Sequence, residues 1–152
     1  MLTDPRIRCV ADLLIHHSVK LAAGEHVLIE TFDCPDEIAV ALIARLAQDH
    51  THARQLAQGV STIAGLRPHA QPNAIPSNMV FIHIDPALAT AAQFAAALEQ
   101  RGVRTLPLDP TRLRAVTHLD VTPAHIEHAI EQFGQVAANL AANLAANSAL
   151  KK

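Results

Sequence analysis

The stretch Met79–Phe133, MVFIHIDPALATAAQFAAALEQRGVRTLPLDPTRLRAVTHLDVTPAHIEHAIEQF, decides the fold because strand and helix patterns alternate along it. Residues Met79–Ile84 are typical of a strand, and an alanine-rich helix is predicted over Ala87–Gln100. Two further strands, Val103–Leu108 and Leu113–Leu119, follow on either side of a short turn that contains a proline. The stretch therefore predicts a strand, a helix and a β-hairpin in that order.

A last helix is predicted after Thr122-Pro123, because threonine is a good N-cap and proline suits the first helical position. This order implies a small sheet with helices packed on one face. A right-handed crossover makes the first two strands parallel, and the hairpin makes the third antiparallel to both. The predicted fold class is α+β, a two-layer α/β sandwich with a small mixed sheet.

Outward from this stretch, the loop Gly65–Ser77 carries three prolines and separates it from the N-terminal elements. Asp4-Pro5 begins a first helix that ends at Gly24, and His26–Glu30 is predicted to be a short strand.

A second, long helix is predicted to begin near Pro35 and to run for about 23 residues. At 100° per residue, its apolar stripe stays within about 40° of one direction, so the helix is continuous. Asp49 is the one polar residue on that stripe. The stripe consists of Ile38, Leu42, Leu46, Asp49, Ala53, Leu56 and Val60.

The C-terminal tail repeats the pattern Val/Leu-Ala-Ala-Asn with a period of four from Val136 onward. Alanine and leucine favour a helix, and this period keeps a slowly drifting apolar stripe. Two interpretations stay open, a frayed helical extension and an oligomerising helix.

The composition suits one globular domain of 152 residues, half of them apolar. The formal net charge is -2, and no basic block of five residues exists, so a nucleic-acid partner is not expected. The N-terminus is charged and no apolar run approaches the length of a membrane span. We therefore expect a cytoplasmic protein with no membrane partner.

Two parts of the chain resemble different enzyme families. The segment DPRIRCVADLLIHHSVKLAAGEHVLIETFDCPDE (Asp4–Glu37) resembles the start of the thermophilic-type metallo-aminopeptidases. The segments DHTHARQLAQGV (Asp49–Val60) and LRAVTHLDVTPAHIEHAIEQF (Leu113–Phe133) resemble the C-terminal small domain of the low-specificity threonine aldolases. The resemblance implies a chimera, one hybrid domain over 1–152 with an aminopeptidase-like part (residues 4–47), an aldolase-like part (48–134) and the tail (135–152).

The resemblance also implies that neither parental activity is present. The threonine aldolases use pyridoxal phosphate on a lysine of their large domain, and Lys20, Lys151 and Lys152 lie in no matching context, so this cofactor is not expected. The aminopeptidases bind their metals through a C-terminal domain with no counterpart here. Arg114 matches the aldolase arginine that resembles the binder of the substrate carboxylate, and is a candidate anion-binding residue.

Ten histidines are about three times the ordinary usage, which favours a transition-metal site. The tightest constellation is His118, Asp120, His125 and His128, where a strand end meets a helix start and two histidines are i,i+3 neighbours. These four residues are candidate ligands of zinc or manganese. The alternative is that they are solvated surface residues.

A second candidate site centres on Asp49, because a buried carboxylate needs a partner. Asp49, His50 and His17 are the candidate catalytic residues, although His17 also suits a hydrogen-bonded core position. The two H-x-D pairs, His83-Ile-Asp85 and His118-Leu-Asp120, are expected at opposite ends of the sheet and not in one site.

Two functions follow as hypotheses. The first is a newly arisen metal-dependent hydrolase of esters or phosphoesters, in which a metal-bound hydroxide attacks and a histidine moves the proton. The alternative is a non-catalytic, self-associating α/β domain, designed or formed by accidental fusion. Both predict a homodimer or higher oligomer, with exchange of N-terminal segments as one route, and a small-molecule ligand is compatible with either.

Overall fold

The computed structural model of the protein describes residues 5–13, 36–75, 77–118 and 120–149. The helices are α1 (Pro5–Leu13), α2 (Asp36–Ser61), α3 (Ala91–Glu99) and α4 (Pro123–Ala149). The strands are β1 (Leu66–Pro68), β2 (Met79–Ile84), β3 (Leu106–Asp109) and β4 (Arg112–Val116), with a 3-10 turn at Pro72–Ala74. The strand predicted at His26–Glu30 lies outside the described residues.

The four strands form one sheet in the order β1-β2-β4-β3, and every neighbouring pair is antiparallel. Strands β2 and β3 run in the same direction, as predicted, but β4 lies between them, so the described sheet is antiparallel and not the mixed sheet that was predicted. The two-layer α+β fold is confirmed. Strand β1 lies inside the segment 65–77, which was predicted to be a loop. The strand could not be predicted because its three residues include a proline and are too few to show a strand pattern.

Each edge strand of the described sheet carries a proline. In β1 the amide of His69, just past the strand, donates to the carbonyl of Phe81 at 2.8 Å, so position 68 faces the outer edge. Pro68 therefore has no N–H to present there. In β3, Pro107 pairs opposite Leu113 and also lacks a donor.

The core lies between one sheet face and the helices α2, α3 and α4. Alternate residues of β2 and β4 face it, as expected for half-buried strands. Phe94 of α3 and Phe133 of α4 are fully buried and their ring centroids lie 5.8 Å apart. The fully or nearly buried residues of β2 and β4 are Val80, Ile82, Ile84, Leu113 and Ala115.

Helix α2 is one continuous helix of 26 residues through Asp49, which confirms the predicted long helix. Its stripe faces inward: Leu42, Asp49, Ala53, Leu56 and Val60 are all buried. The helix also comes very close to α4, because a Cβ at Gly59 would lie 2.5 Å from Cδ1 of Ile130.

Helix α3 begins at Ala91, four residues later than predicted. The side chain of Asp85 accepts a hydrogen bond from the amide of Ala87 at 2.9 Å, so this segment is a turn. Thr90 and Gln93 then form a reciprocal capping box that fixes the helix start.

Helix α4 extends for 27 residues and includes most of the tail. Val136 and Ala137 are buried, Leu140 is half-buried, and residues 141–146 are exposed. In the part of the chain that the structure describes, no helix is both long enough and apolar enough to cross a membrane.

Candidate functional site

The sheet face opposite the helices is not covered by any described helix, and it carries the polar side chains of Arg67, His83, Arg112 and Arg114. The strand register arranges these side chains in rows across the sheet. One row consists of Arg67, His83 and Arg112, each directly opposite the next. The neighbouring row contains Phe81, Arg114 and Leu106, and the third pairs Met79 with Val116.

The first row concentrates positive charge at one end of the face. Arg112 is paired with Asp109 through its Nε, and Asp109 also accepts from the amide of Thr111 at 2.9 Å. The hydrogen bond from the Thr111 amide, followed by that from Arg112, lowers the pKa of Asp109 from 3.8 to about 2. Asp109 therefore stays ionised and forms an ion pair with Arg112.

His83 sits in the middle of this row and contacts a second imidazole. Its Nε2 lies 3.1 Å from Nδ1 of His69, so one ring donates and the other accepts. Burial lowers the pKa of His83, and the charges of Arg67, His69 and Arg112 lower it further, partly opposed by Asp109. His83 is therefore neutral near pH 7.

Arg114 lies in the second row, between Phe81 and Leu106. Its Nε is buried and has no hydrogen-bond partner among the described residues. A buried guanidinium nitrogen without an acceptor is costly, so this position favours a ligand or partner that supplies an oxygen. The sequence candidate for anion binding is thus on the open face.

The candidate catalytic residues lie on the other side of the sheet or outside the described residues. Asp49 is buried, and its Oδ1 lies 3.0 Å from Nη2 of Arg45, one turn earlier in α2. Asp49 therefore has a partner that the sequence analysis did not consider. His50 is half-buried, and burial, followed by the charge of Arg54, lowers its pKa, partly opposed by Asp49. His17 lies outside the described residues.

The four candidate metal ligands do not converge. His118 Nδ1 is 3.7 Å from Asp120 Oδ2, but His125 Nδ1 lies 3.0 Å from the main-chain oxygen of Asp120. His128 Nε2 points instead to the main-chain oxygen of Arg101 at 3.4 Å. Within the described ranges, no group of three or more His, Cys, Asp or Glu residues is arranged to hold a metal ion.

The two H-x-D pairs lie at opposite ends of the β2–β4 ladder, as the sequence analysis expected. His83 is paired with Arg112 at one end, whereas His118 follows Thr117, whose amide donates to Asn78 beyond the other end.

Sequence reasoning missed the cation row and the His69–His83 contact. The alternation Arg112-Leu113-Arg114 was a visible signal, because residues i and i+2 of a strand share a face. Arg67 could not have been assigned, since β1 itself was predicted to be a loop. A further missed residue is His52, which is buried and whose Nδ1 has no partner among the residues with described positions.

Comparison with known proteins places this geometry in a wider context. No protein-family model matches the chain. The chain is similar to low-specificity L-threonine aldolase 1 of Arabidopsis thaliana, with 29% identity over 104 residues, which covers 64% of this chain and 28% of the relative. It is also similar to a probable low-specificity L-threonine aldolase 2 of the same plant, with 30% identity over 96 residues, covering 62% and 26%.

The chain spans about a quarter of the length of these curated relatives. Among solved structures, it matches an aminotransferase, TlmJ, from Streptoalloteichus hindustanus with a TM-score of 0.53 and 21% identity, covering 68% of this chain and 35% of that one. An ornithine aminotransferase from Plasmodium yoelii gives a TM-score of 0.50 and 12% identity, covering 68% and 28%. These two likenesses show a shared fold.

The similarity supports the predicted aldolase-like segment and corrects three other predictions. Both curated relatives are threonine aldolases, and nothing found supports an aminopeptidase-like segment, so the chimera hypothesis is wrong. The metal-dependent hydrolase is also wrong, because the relatives and structural neighbours are aldolases and aminotransferases. The predicted zinc site is wrong as well, since His125 and His128 each contact a different main-chain oxygen.

Proposed function

We propose that this chain is a non-catalytic α/β domain that associates with a second copy of itself through the open sheet face. The observation that carries the proposal is the aliphatic end of that face. Leu106 is 47% exposed and Val116 is 42% exposed. Large aliphatic side chains grouped on an uncovered sheet face favour burial against a partner.

The distribution of charge on the face supports an off-centre dimer. Two faces stacked in full would place the row of Arg67 and Arg112 against cations of the partner. A two-fold interface at the aliphatic end, around Leu106 and Val116, buries apolar surface and leaves that row outside. Self-association by this route needs no exchange of N-terminal segments.

The placement of the polar residues supports a role without catalysis. Asp49 is held beside Arg45, and the acid and base candidates on the described part of the chain belong to separate contacts. The chain's three lysines are Lys20, Lys151 and Lys152, and none lies in a matching aldolase context. We therefore expect no bound pyridoxal phosphate.

The proposal is tested by measuring mass in solution by light scattering over a hundredfold range of protein concentration. We expect a concentration-dependent dimer that Leu106→Glu together with Val116→Glu converts to a monomer. Leu144→Glu serves as the matched comparison, because Leu144 is also 46% exposed but lies in the tail. A monomer at every concentration would overturn self-association, and dissociation by Leu144→Glu alone would move the interface to the tail.

A second proposed role concerns Arg114, whose buried Nε has no partner among the described residues. We propose that the Arg114 guanidinium donates hydrogen bonds to a carboxylate, either of a small molecule or of a partner surface. Acetate titration followed by the main-chain amide resonance of residue 114, which is present in the wild type and in Arg114→Lys, tests this role. Saturation that Arg114→Lys abolishes supports it, because lysine keeps the charge but loses the planar fork. A linear response in both proteins contradicts it.

A further inference from the structure

The row of Arg67, His83 and Arg112 is unusual because its members face one another directly across three strands. Directly opposed side chains on antiparallel strands have Cβ atoms about 5 Å apart, so His83 separates the two guanidinium groups by two such steps. The middle member also contacts another imidazole, His69. An anion that lies over the row is attracted by both guanidinium groups.

The described residues place a carboxylate beside only part of the row. Asp109 is engaged with Arg112 and with the amide and hydroxyl of Thr111. Asp85, at the end of β2, turns its Oδ1 to the amide of Ala87. Among the described residues, no carboxylate lies within 4.0 Å of the Arg67 guanidinium.

The same end of the sheet is concave. An open recess of about 430 Å³ is lined by residues that include Arg67, His83, Asp85 and Thr111. Gly65, with φ of +82°, turns the chain at its wall, where its carbonyl accepts from the amide of Asp85 at 2.8 Å. The recess is large enough for a phosphate-sized ion and reaches two members of the row.

We propose that Arg67, His83 and Arg112 form a binding site for an oxyanion, a phosphate or a carboxylate. The planar guanidinium groups present paired N–H donors to two oxygens of such a group, and these charge-assisted bonds are the strong ones. The His83 ring supplies a third donor when it is protonated. This site is distinct from Arg114 and does not depend on self-association, because the row lies away from the aliphatic end.

The surroundings of His83 decide in which direction a bound anion shifts its pKa. In the free protein, burial and the charges of Arg67, His69 and Arg112 lower its pKa, and Asp109 opposes them. A bound dianion adds negative charge beside the ring and favours the imidazolium form. Binding of phosphate must therefore raise the pKa of His83, and protonation of His83 must strengthen phosphate binding.

The test is a titration of the full chain with inorganic phosphate at constant ionic strength, following the labelled histidine rings by NMR. We expect a saturable shift confined to His83 and His69, and a higher pKa for His83 at saturation. Arg67→Gln is expected to weaken the affinity by about tenfold or more, as expected for one lost charge-assisted interaction. Arg104→Gln is the matched control, since Arg104 is exposed and lies 4.0 Å from Glu99, away from the row.

Parallel titrations with succinate distinguish a phosphate from a carboxylate ligand. Because Arg67 is exposed, its variant is expected to fold, and His83→Gln gives a second, independent test of the same site. A linear, non-saturating response would overturn the proposal, as would equal losses in the Arg67 and Arg104 variants. If phosphate binding no longer saturates in Arg114→Lys but is unchanged in Arg67→Gln, the anion binds at Arg114. That result would also overturn the proposed site.

Discussion

The hydroxyl of Thr117 donates a hydrogen bond of 2.7 Å to the main-chain oxygen of Asp49, which is 68 residues earlier in the chain. Thr117 is buried, and its own amide and carbonyl extend the β2–β4 ladder through the main chain and side chain of Asn78. This contact therefore joins the middle of α2 to the end of the sheet. It connects two segments that the resemblance assigned to the same family.

Replacement of Thr117 by valine is expected to lower the free energy of unfolding by about 1 kcal/mol, because the hydroxyl's hydrogen bond to Asp49 and its longer one of 3.2 Å to the main-chain oxygen of Asn78 are lost while the shape is kept. Urea denaturation followed by circular dichroism measures the change. Thr51→Val is the control, since its exposed hydroxyl bonds to the main-chain oxygen of Ala47 within the same helix. Equal losses in the two variants would show that the contact with Asp49 adds nothing.

Replacement by alanine is expected to change the stability of the protein in opposite directions at two glycines on facing helices. A Cβ at Gly59 would lie 2.5 Å from Ile130, so Gly59→Ala forces α2 and α4 apart and destabilises the protein by about 1–3 kcal/mol. A Cβ at Gly134 would meet Ile63 at 4.0 Å, an ordinary contact, so Gly134→Ala gains up to about 1 kcal/mol from helix propensity. Thermal unfolding of the pair measures both signs, and a stabilised Gly59→Ala would contradict the close approach.

The start of α3 depends on the capping box of Thr90 and Gln93. The Thr90 hydroxyl accepts from the amide of Gln93 at 3.3 Å, and the Gln93 side chain accepts from the amide of Thr90 at 3.0 Å. Thr90→Ala is expected to cost about 1 kcal/mol of stability, whereas Thr90→Ser keeps most of it. Hydrogen exchange of the first amides of α3 locates the effect, and unchanged protection there would count against the cap.

The carboxylate of Asp109 is expected to make the protein sensitive to strong acid. Its pKa is lowered to about 2 in the folded protein, so its stabilising contribution is complete above pH 3.8 and is lost as the pH falls through about 2. Carboxyl carbon shifts measured by NMR give this pKa directly. Arg112→Gln should raise it without restoring 3.8, because the amide of Thr111 still donates to Asp109. A pKa unaffected by that variant would show that the ion pair does not form in solution.

Only some of the helices and strands could be predicted from the sequence. The stripe of α2 could be predicted because apolar residues repeat with the helical period, and four of its apolar members, Leu42, Ala53, Leu56 and Val60, are buried. Strand β1 could not, because its three residues gain their structure from pairing with β2 and not from local preference. The late start of α3 was missed because the side chain of Asp85 stabilises a turn in residues that favour a helix.

The candidate sites were predicted less well, for a related reason. Histidine content and i,i+3 spacing suggested a metal site, but spacing alone cannot show that His128 turns to the oxygen of Arg101. Arg114 was identified from a resemblance, and the structure adds the unpartnered Nε among the described residues. The row of Arg67, His83 and Arg112 depends on register across three strands, which no short motif encodes.

The prolines at positions 68 and 107 limit how copies of this protein can assemble. An exposed sheet edge usually invites another strand, and repeated addition leads to open-ended fibres. Here Pro68 and Pro107 each remove a donor from an edge of the described sheet. Growth in the plane of the sheet is thus disfavoured, whereas the face-to-face contact proposed above closes after two copies. The exposed side chains of Leu106 and Val116 therefore lie on a sheet whose described edges disfavour strand-by-strand polymerisation.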